Sequence, residues 1–121
     1  MSHSKAAAEV TIKRAYEPAS PDDGTRILVD RLWPRGVKKS HAGISQWMKE
    51  IAPSNELRKW FGHDPARWEE FRRRYRAELT GKRELVGRLR ELSREGPLTL
   101  VYSAHDAAHN QAVVLRELLL H

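Results

Sequence analysis

Two short apolar runs constrain this chain more than any other feature. Ile27-Leu28-Val29 and Leu98-Thr99-Leu100-Val101-Tyr102 contain no charged residue. Each is strand-sized, and neither alternates apolar with polar as a strand with one wet face would. Such runs suit strands buried on both faces, the usual situation in parallel sheets. A long stretch patterned as helix separates them. Parallel strands cannot be joined by a tight hairpin, so that stretch reads as a crossover. The fold class is therefore α/β: a small single domain with a short, mostly parallel sheet packed by about five helices. With 121 residues, one domain is the natural count, and such a chain can bury an ordinary core.

The remaining elements follow from periodicity and caps. Residues 1–8 are poor in core residues and read as a disordered or appended end, leaving residues 9–121 as the domain. Glu9 to Tyr16 alternates, with Val10 and Ile12 facing one way and Thr11 and Lys13 the other, so it reads as a strand. Glu17 to Gly24 holds two prolines and Asp-Gly, which is loop chemistry. Arg26 to Trp33 is a second strand, stopped by Pro34 and Gly36. Ser40 then reads as an N-cap for a helix whose stripe is Ile44, Trp47, Met48 and Ile51. Pro53-Ser54 breaks it and caps a second helix with Leu57, Trp60 and Phe61, closed by Gly62. Asp64-Pro65 opens a third, with Trp68, Phe71, Tyr75 and Leu79 inward. A fourth carries Leu85, Val86, Leu89 and Leu92. After the Leu98–Ser103 strand and a turn at Ala104–Asp106, Ala107 to Leu120 reads as the last helix.

Composition excludes several classes. No apolar run approaches the roughly 20 residues that a membrane helix needs, and residues 2–9 do not resemble a signal peptide. No membrane partner and a cytoplasmic location are expected. There is no cysteine, which removes disulfides, thiolate metal sites and cysteine nucleophiles. No phosphate-cradling glycine loop is present, and no cofactor is implied. The chain carries 22 Lys+Arg against 16 Asp+Glu, a formal charge of +6. An anionic partner, small molecule or nucleic acid, is compatible with that balance. In Arg67 to Glu78 the signs alternate, the pattern of a solvated helix face.

Open α/β sheets bind ligands beyond the carboxyl ends of their strands. Here those ends carry Asp30, Arg31, Trp33, Arg35, Ser103, His105, Asp106, His109 and Asn110. Arginines 31 and 35 offer forked donors for phosphate or carboxylate. The following helix N-terminus favours an anion. Lys13, Arg14 and Arg26 would add charge. Asp30, His105 and His109 are the acid–base candidates, and Asn110 would orient the ligand. Trp33 could stack on a ring. Structural readings exist beside these: Asp106 as an N-cap, Arg31 as an ion-pair partner, Trp33 as core. His105 and His109 are four apart, but no third ligand stands near, so no metal site is expected. Ser103, His105 and Asp106 do not make a triad by adjacency, and no nucleophile elbow surrounds Ser103.

Several blocks together resemble a known family. They are Lys13-Arg14-x-Tyr16, Asp23-Gly24-x-Arg26 through Gly36, Pro53-Ser54-x-x-Leu57-Arg58-x-Trp60, His63-x-Pro65, Phe71-x-x-x-Tyr75, Leu98-Thr99-Leu100-x-Tyr102-Ser103-Ala104, and Asp106-x-x-His109-Asn110-x-Ala112. From about Val10 to Leu119 the chain is similar to the bacterial domain of unknown function 488 family, in its YeaO-like branch. That resemblance implies a small cytoplasmic α/β domain and no accepted catalytic set. A sister branch carries a cysteine near the last strand–helix turn; without cysteine, thiol chemistry does not transfer. Where the branch often has lysine after Tyr-Ser-Ala, this chain has His105, which is only partly charged near neutral pH.

Three functions remain open on these residues. The first is binding of a small phosphate- or carboxylate-bearing ligand in a crevice at the strand ends, with or without catalysis. The second is nucleic-acid binding through the basic surface, with Trp33 or Tyr16 stacking. The third is an interaction module without a site. The sequence leaves the oligomeric state open.

Overall fold

Four parallel strands form the centre of the molecule, in the order β1-β4-β2-β3. They are β1 (Val10–Arg14), β2 (Thr25–Leu28), β3 (Gln46–Trp47) and β4 (Leu98–Tyr102). Four α-helices are present among the described residues: α1 (Asn55–Phe61), α2 (Trp68–Leu79), α3 (Arg83–Glu95) and α4 (Gln111–Leu119). The computed structural model describes residues 9–120. The expectation of a disordered or appended end at residues 1–8 lies outside them.

The two apolar runs lie side by side, β2 pairing with β4. Every residue of β4 is buried, and Ile27, Leu28 and Val29 are inaccessible or nearly so. The register places Ile27 beside Leu100 and Ile12 on its other flank. One face of the sheet sends Val10, Ile27, Leu98, Leu100 and Tyr102 into a core shared with Phe71, Tyr75, Leu89 and Leu115 of the helices. The opposite face carries Thr11, Lys13, Thr99 and Arg26. There Thr99 Oγ1 donates to the Asp23 carbonyl at 2.8 Å and lies 2.9 Å from Thr11 Oγ1. The alternation read in the first strand is what the structure contains.

Caps set the helix boundaries. Ser54 Oγ accepts from Leu57 N at 3.1 Å, and Gly62 closes α1 in the left-handed conformation. Glu78 on α2 reaches back to Ser54, accepting from its amide at 2.9 Å and its hydroxyl at 2.5 Å. These bonds fix the α1 start against the C-terminal end of α2. Buried Tyr75 donates its hydroxyl to the Ile51 carbonyl at 2.7 Å, so the same junction is held twice.

Three expected elements differ. The stretch from Ser40 to Ile51 is not a helix. It is a 3-10 turn at Lys39–His41, the short strand β3, and a second 3-10 turn at Lys49–Ile51. Gly43 has φ +64 in the middle of the supposed helix. The backbone of this stretch bonds to β2 instead: Ser45 N donates to the Arg26 carbonyl at 2.8 Å and Met48 N to the Leu28 carbonyl at 2.9 Å. Long-range ladder bonds satisfied the amides that a local helix would have used. The second difference is the start of the last helix, at Gln111 rather than Ala107. Asp106 closes a turn of its own, accepting from Ala108 N and His109 N at 2.9 and 3.1 Å. Asn110 then caps α4, its Oδ1 accepting from Ala112 N and Val113 N. The second strand is also shorter than read: it ends at Leu28, with Val29 N adding one more bond to the Val101 carbonyl.

Candidate anion-binding site at the strand ends

The carboxyl ends of β2 and β4 do converge, and Asp30 is where they meet. Its Oδ2 accepts from the Ser103 amide at 2.9 Å. Its Oδ1 accepts from the Gln111 side-chain amide, in the first turn of α4. Its backbone carbonyl accepts from Trp47 Nε1 at 2.7 Å. Asp30 is 7% exposed and no cation lies in salt-bridge range of it among the described residues. Burial pushes its carboxyl above the ordinary value, and hydrogen bonds from Ser103 and Gln111 draw it partly back. The carboxylate itself occupies the place, beside the helix start, where a bound anion was expected.

The expected cationic ring is spread over both faces and largely engaged. Lys13 and Arg26 lie on the face of the sheet that carries Thr11 and Thr99, and both bind Asp23, at 3.1 and 2.6 Å. Buried Arg26 also donates to the Gly43 and Ala42 carbonyls. Burial pushes the Asp23 carboxyl up, but the Ser20 amide and these two cations outweigh it and hold it low. Arg14 donates to the Ala104 carbonyl at 2.9 Å and the Ser103 carbonyl at 3.2 Å, closing the end of β4. Arg31 donates to the Ala52 carbonyl at 3.2 Å and to that of Pro53, with exposed Glu50 3.8 Å away. It braces the junction before α1, where Lys82 donates to the same Ala52 carbonyl at 2.8 Å.

The remaining candidates form a second cluster. His109 Nδ1 lies 2.8 Å from Asp106 Oδ2, and its ring packs edge-on against Trp68 at 5.2 Å. The His109 hydrogen bond, followed by that from the Ala108 amide, holds the Asp106 carboxyl low. Asp106 thus pairs with His109 and not with exposed His105. Asn110 is 2% exposed and commits its oxygen to the α4 cap and its amide to the Asp106 carbonyl at 2.8 Å. Ser103 gives its amide to Asp30 and its carbonyl to Arg14.

Free cationic charge gathers one strand further along the same edge. Trp33 and Trp47 meet edge-to-face at 5.5 Å. Trp33 Nε1 donates to the Val37 carbonyl at 2.6 Å, so both indoles are pinned. The Lys39 ammonium sits 5.5 Å from the Trp33 ring and 6.0 Å from that of Trp47. The Lys49 ammonium sits 5.1 Å over the Trp47 ring. Exposed Arg35 and Lys38 stand nearby in sequence, and Tyr16 donates its hydroxyl to the Arg35 carbonyl at 3.0 Å. Residues 31–49 hold Arg31, Arg35, Lys38, Lys39 and Lys49 and no Asp or Glu. Apart from Arg31, none of these cations has a carboxylate partner among the described residues. Reading residues 40–51 as a helix hid this: it put Trp47 in a core stripe and left Lys38, Lys39 and Lys49 unremarked. The acid-free stretch was the available signal.

The chain is 46% identical over 110 residues to the uncharacterised protein YeaO of Escherichia coli, covering 91% of this chain and 96% of that one. It is 43% identical over 110 residues to uncharacterised proteins of Mycobacterium bovis and Mycobacterium tuberculosis, covering 91% of this chain and 92% of each. No solved structure matches it. No helix among the described residues is long and apolar enough to cross a membrane. Residues 9–121 match the family model described as the inactive DUF488-N3 subclade, and the chain belongs to that family.

Proposed function

We propose that this protein is a binding domain, not a catalyst, and that it takes phosphate- or carboxylate-bearing ligands at the C-terminal edge of its sheet. One observation carries the reading: the charge of Arg35, Lys38, Lys39 and Lys49 lies along a stretch without a single acid. The arginines of α2 are balanced by contrast. On α2, Arg72, Arg73, Arg74 and Arg76 each lie within 3.4 Å of a glutamate. Unbalanced charge on a fixed surface raises the local concentration of anions and favours their capture. The preference for binding over catalysis rests on the acid–base candidates. Asp30 is packed away among its own hydrogen-bond donors, and His109 is engaged with Asp106 at 2.8 Å. The family description, inactive, agrees with that preference.

The test is a thermal-shift series with inorganic phosphate, pyrophosphate, nucleoside triphosphates and citrate. A ligand at 100 times its Kd stabilises the fold by about 2.7 kcal/mol, and Arg35→Ala should shrink that shift while leaving the unliganded Tm unchanged. No shift with any of these anions, at millimolar concentration and low salt, overturns the reading.

A further inference from the structure

We infer that the acid-free stretch 31–49 is a docking face for single-stranded nucleic acid. The inference rests on the anion-binding reading and narrows its ligand to a polymer. Three features lead there. The first is charge: five of the protein's cations and none of its acids fall in this stretch, against a formal charge of +6 for the whole chain. The second is the pair of indoles. Trp33 and Trp47 are half-buried, and each is locked by an N–H bond to a backbone carbonyl. Neither ring needs to be ordered when a ligand arrives. The third is where the ammonium groups rest. Lys39 and Lys49 cover the ring faces at 5.1 to 6.0 Å. A phosphate that draws them outward leaves an aromatic surface for a base. Cationic groups that follow a backbone, interleaved with rings that stack on bases, are the chemistry of single-strand recognition.

The geometry favours a single strand over a duplex. The stretch contains turns and a two-residue edge strand, with no α-helix to enter a major groove. The exposed helices carry mixed charge, as in Arg83, Glu84, Arg88, Glu91, Arg94 and Glu95 of α3. Base stacking is indifferent to sequence because every base has a π-face, so weak sequence preference is expected.

The experiment measures binding of a fluorescent 12-nucleotide single strand by anisotropy at several salt concentrations. Competitors are the matching duplex, an abasic strand of equal length, polyphosphate and vesicles of anionic lipid. If Lys38, Lys39 and Lys49 each meet a phosphate, log Kobs should fall against log salt with a slope of about −2. The triple variant Lys38→Gln, Lys39→Gln, Lys49→Gln should weaken binding more than tenfold. A control with equal charge loss on α3, Arg83→Gln, Arg88→Gln, Arg94→Gln, should stay within twofold. Trp33→Phe should reduce the quenching of tryptophan emission by the strand, and the abasic strand should compete poorly. Polyphosphate or the abasic strand competing as well as the normal strand overturns the nucleic-acid inference and leaves anion binding standing. Preference for the duplex, or binding to anionic vesicles without binding to oligonucleotides, also overturns it. Equal loss in both triple variants removes the assignment to this face. Silence with every anion, small or polymeric, removes the underlying reading as well.

Discussion

Asp30 is the residue on which the strand ends turn. A buried carboxylate with no cation nearby is costly to ionise, and that cost appears as a pH dependence. Its folded pKa is raised from the ordinary 3.8. The stability that this group supports is then fully present below 3.8 and is lost as pH rises through the raised folded value. Asp30→Asn should abolish that loss, because a neutral amide pays no such desolvation and Gln111 can flip to meet it. Urea unfolding of both proteins from pH 4 to pH 8 checks this; parallel curves would contradict it. Asp30→Ala leaves the Ser103 amide and the Gln111 side chain without their acceptor, and should cost about 1–3 kcal/mol. Asp106 works in the opposite direction. Its folded pKa is lowered, chiefly by His109. Its contribution is present above the ordinary value of 3.8 and fades as pH falls through the lower folded one. Asp106→Asn should therefore be less stable than the parent near neutrality, and the two should converge as pH falls below 4, read by urea unfolding at each pH.

At the scale of elements, two junctions hold the architecture. Gly24 sits at φ +63, and a Cβ there would lie 2.2 Å from the Pro97 carbonyl oxygen that receives the Thr25 amide. That contact aligns the start of β2 with the start of β4. Gly24→Ala should cost about 1–3 kcal/mol, from positive φ and the displaced carbonyl together, read as a drop in Tm. Ser54 is the other junction, binding α1 to Glu78 of α2. Ser54→Ala should cost about 1 kcal/mol by urea titration. Helices with a cap and an inward stripe were legible from the chain: Ser54 with Leu57 and Phe61, Asp64-Pro65 with Phe71, Tyr75 and Leu79. The stripe Ile44, Trp47, Met48 and Ile51 was equally regular and misleading. Its spacing came from residues that close the sheet edge and the core by separate routes. Met48 and Ile51 are buried, but the backbone from Ser45 to Met48 bonds to β2. Periodicity reports which residues are inward; it does not report which partner satisfies their amides.

At the scale of the whole molecule, the sheet holds the domain together through β4. Leu100 is inaccessible and lies between Ile12 and Ile27 in the register. Leu100→Ala should cost about 2–5 kcal/mol, a large part of the 5–15 kcal/mol typical of a domain, and should lower the urea midpoint without changing the m-value.

The sequence by itself determined the class. Two uninterrupted apolar runs separated by helical stretches suit buried strands of a parallel sheet, and the charge balance and lack of cysteine hold whatever the fold; which strands are neighbours came from the structure. It also pointed to Asp30, Ser103, Asp106, His109 and Asn110 as polar residues just beyond β2 and β4. Only the tertiary structure decided what those residues do there. Hydrogen bonds to distant carbonyls and amides leave no trace in local spacing: Arg31 to Ala52, Arg14 to Ala104, Asp30 to Ser103 and Gln111. These bonds engaged the groups that seemed available and left the unbalanced charge one strand away, beside Trp33 and Trp47.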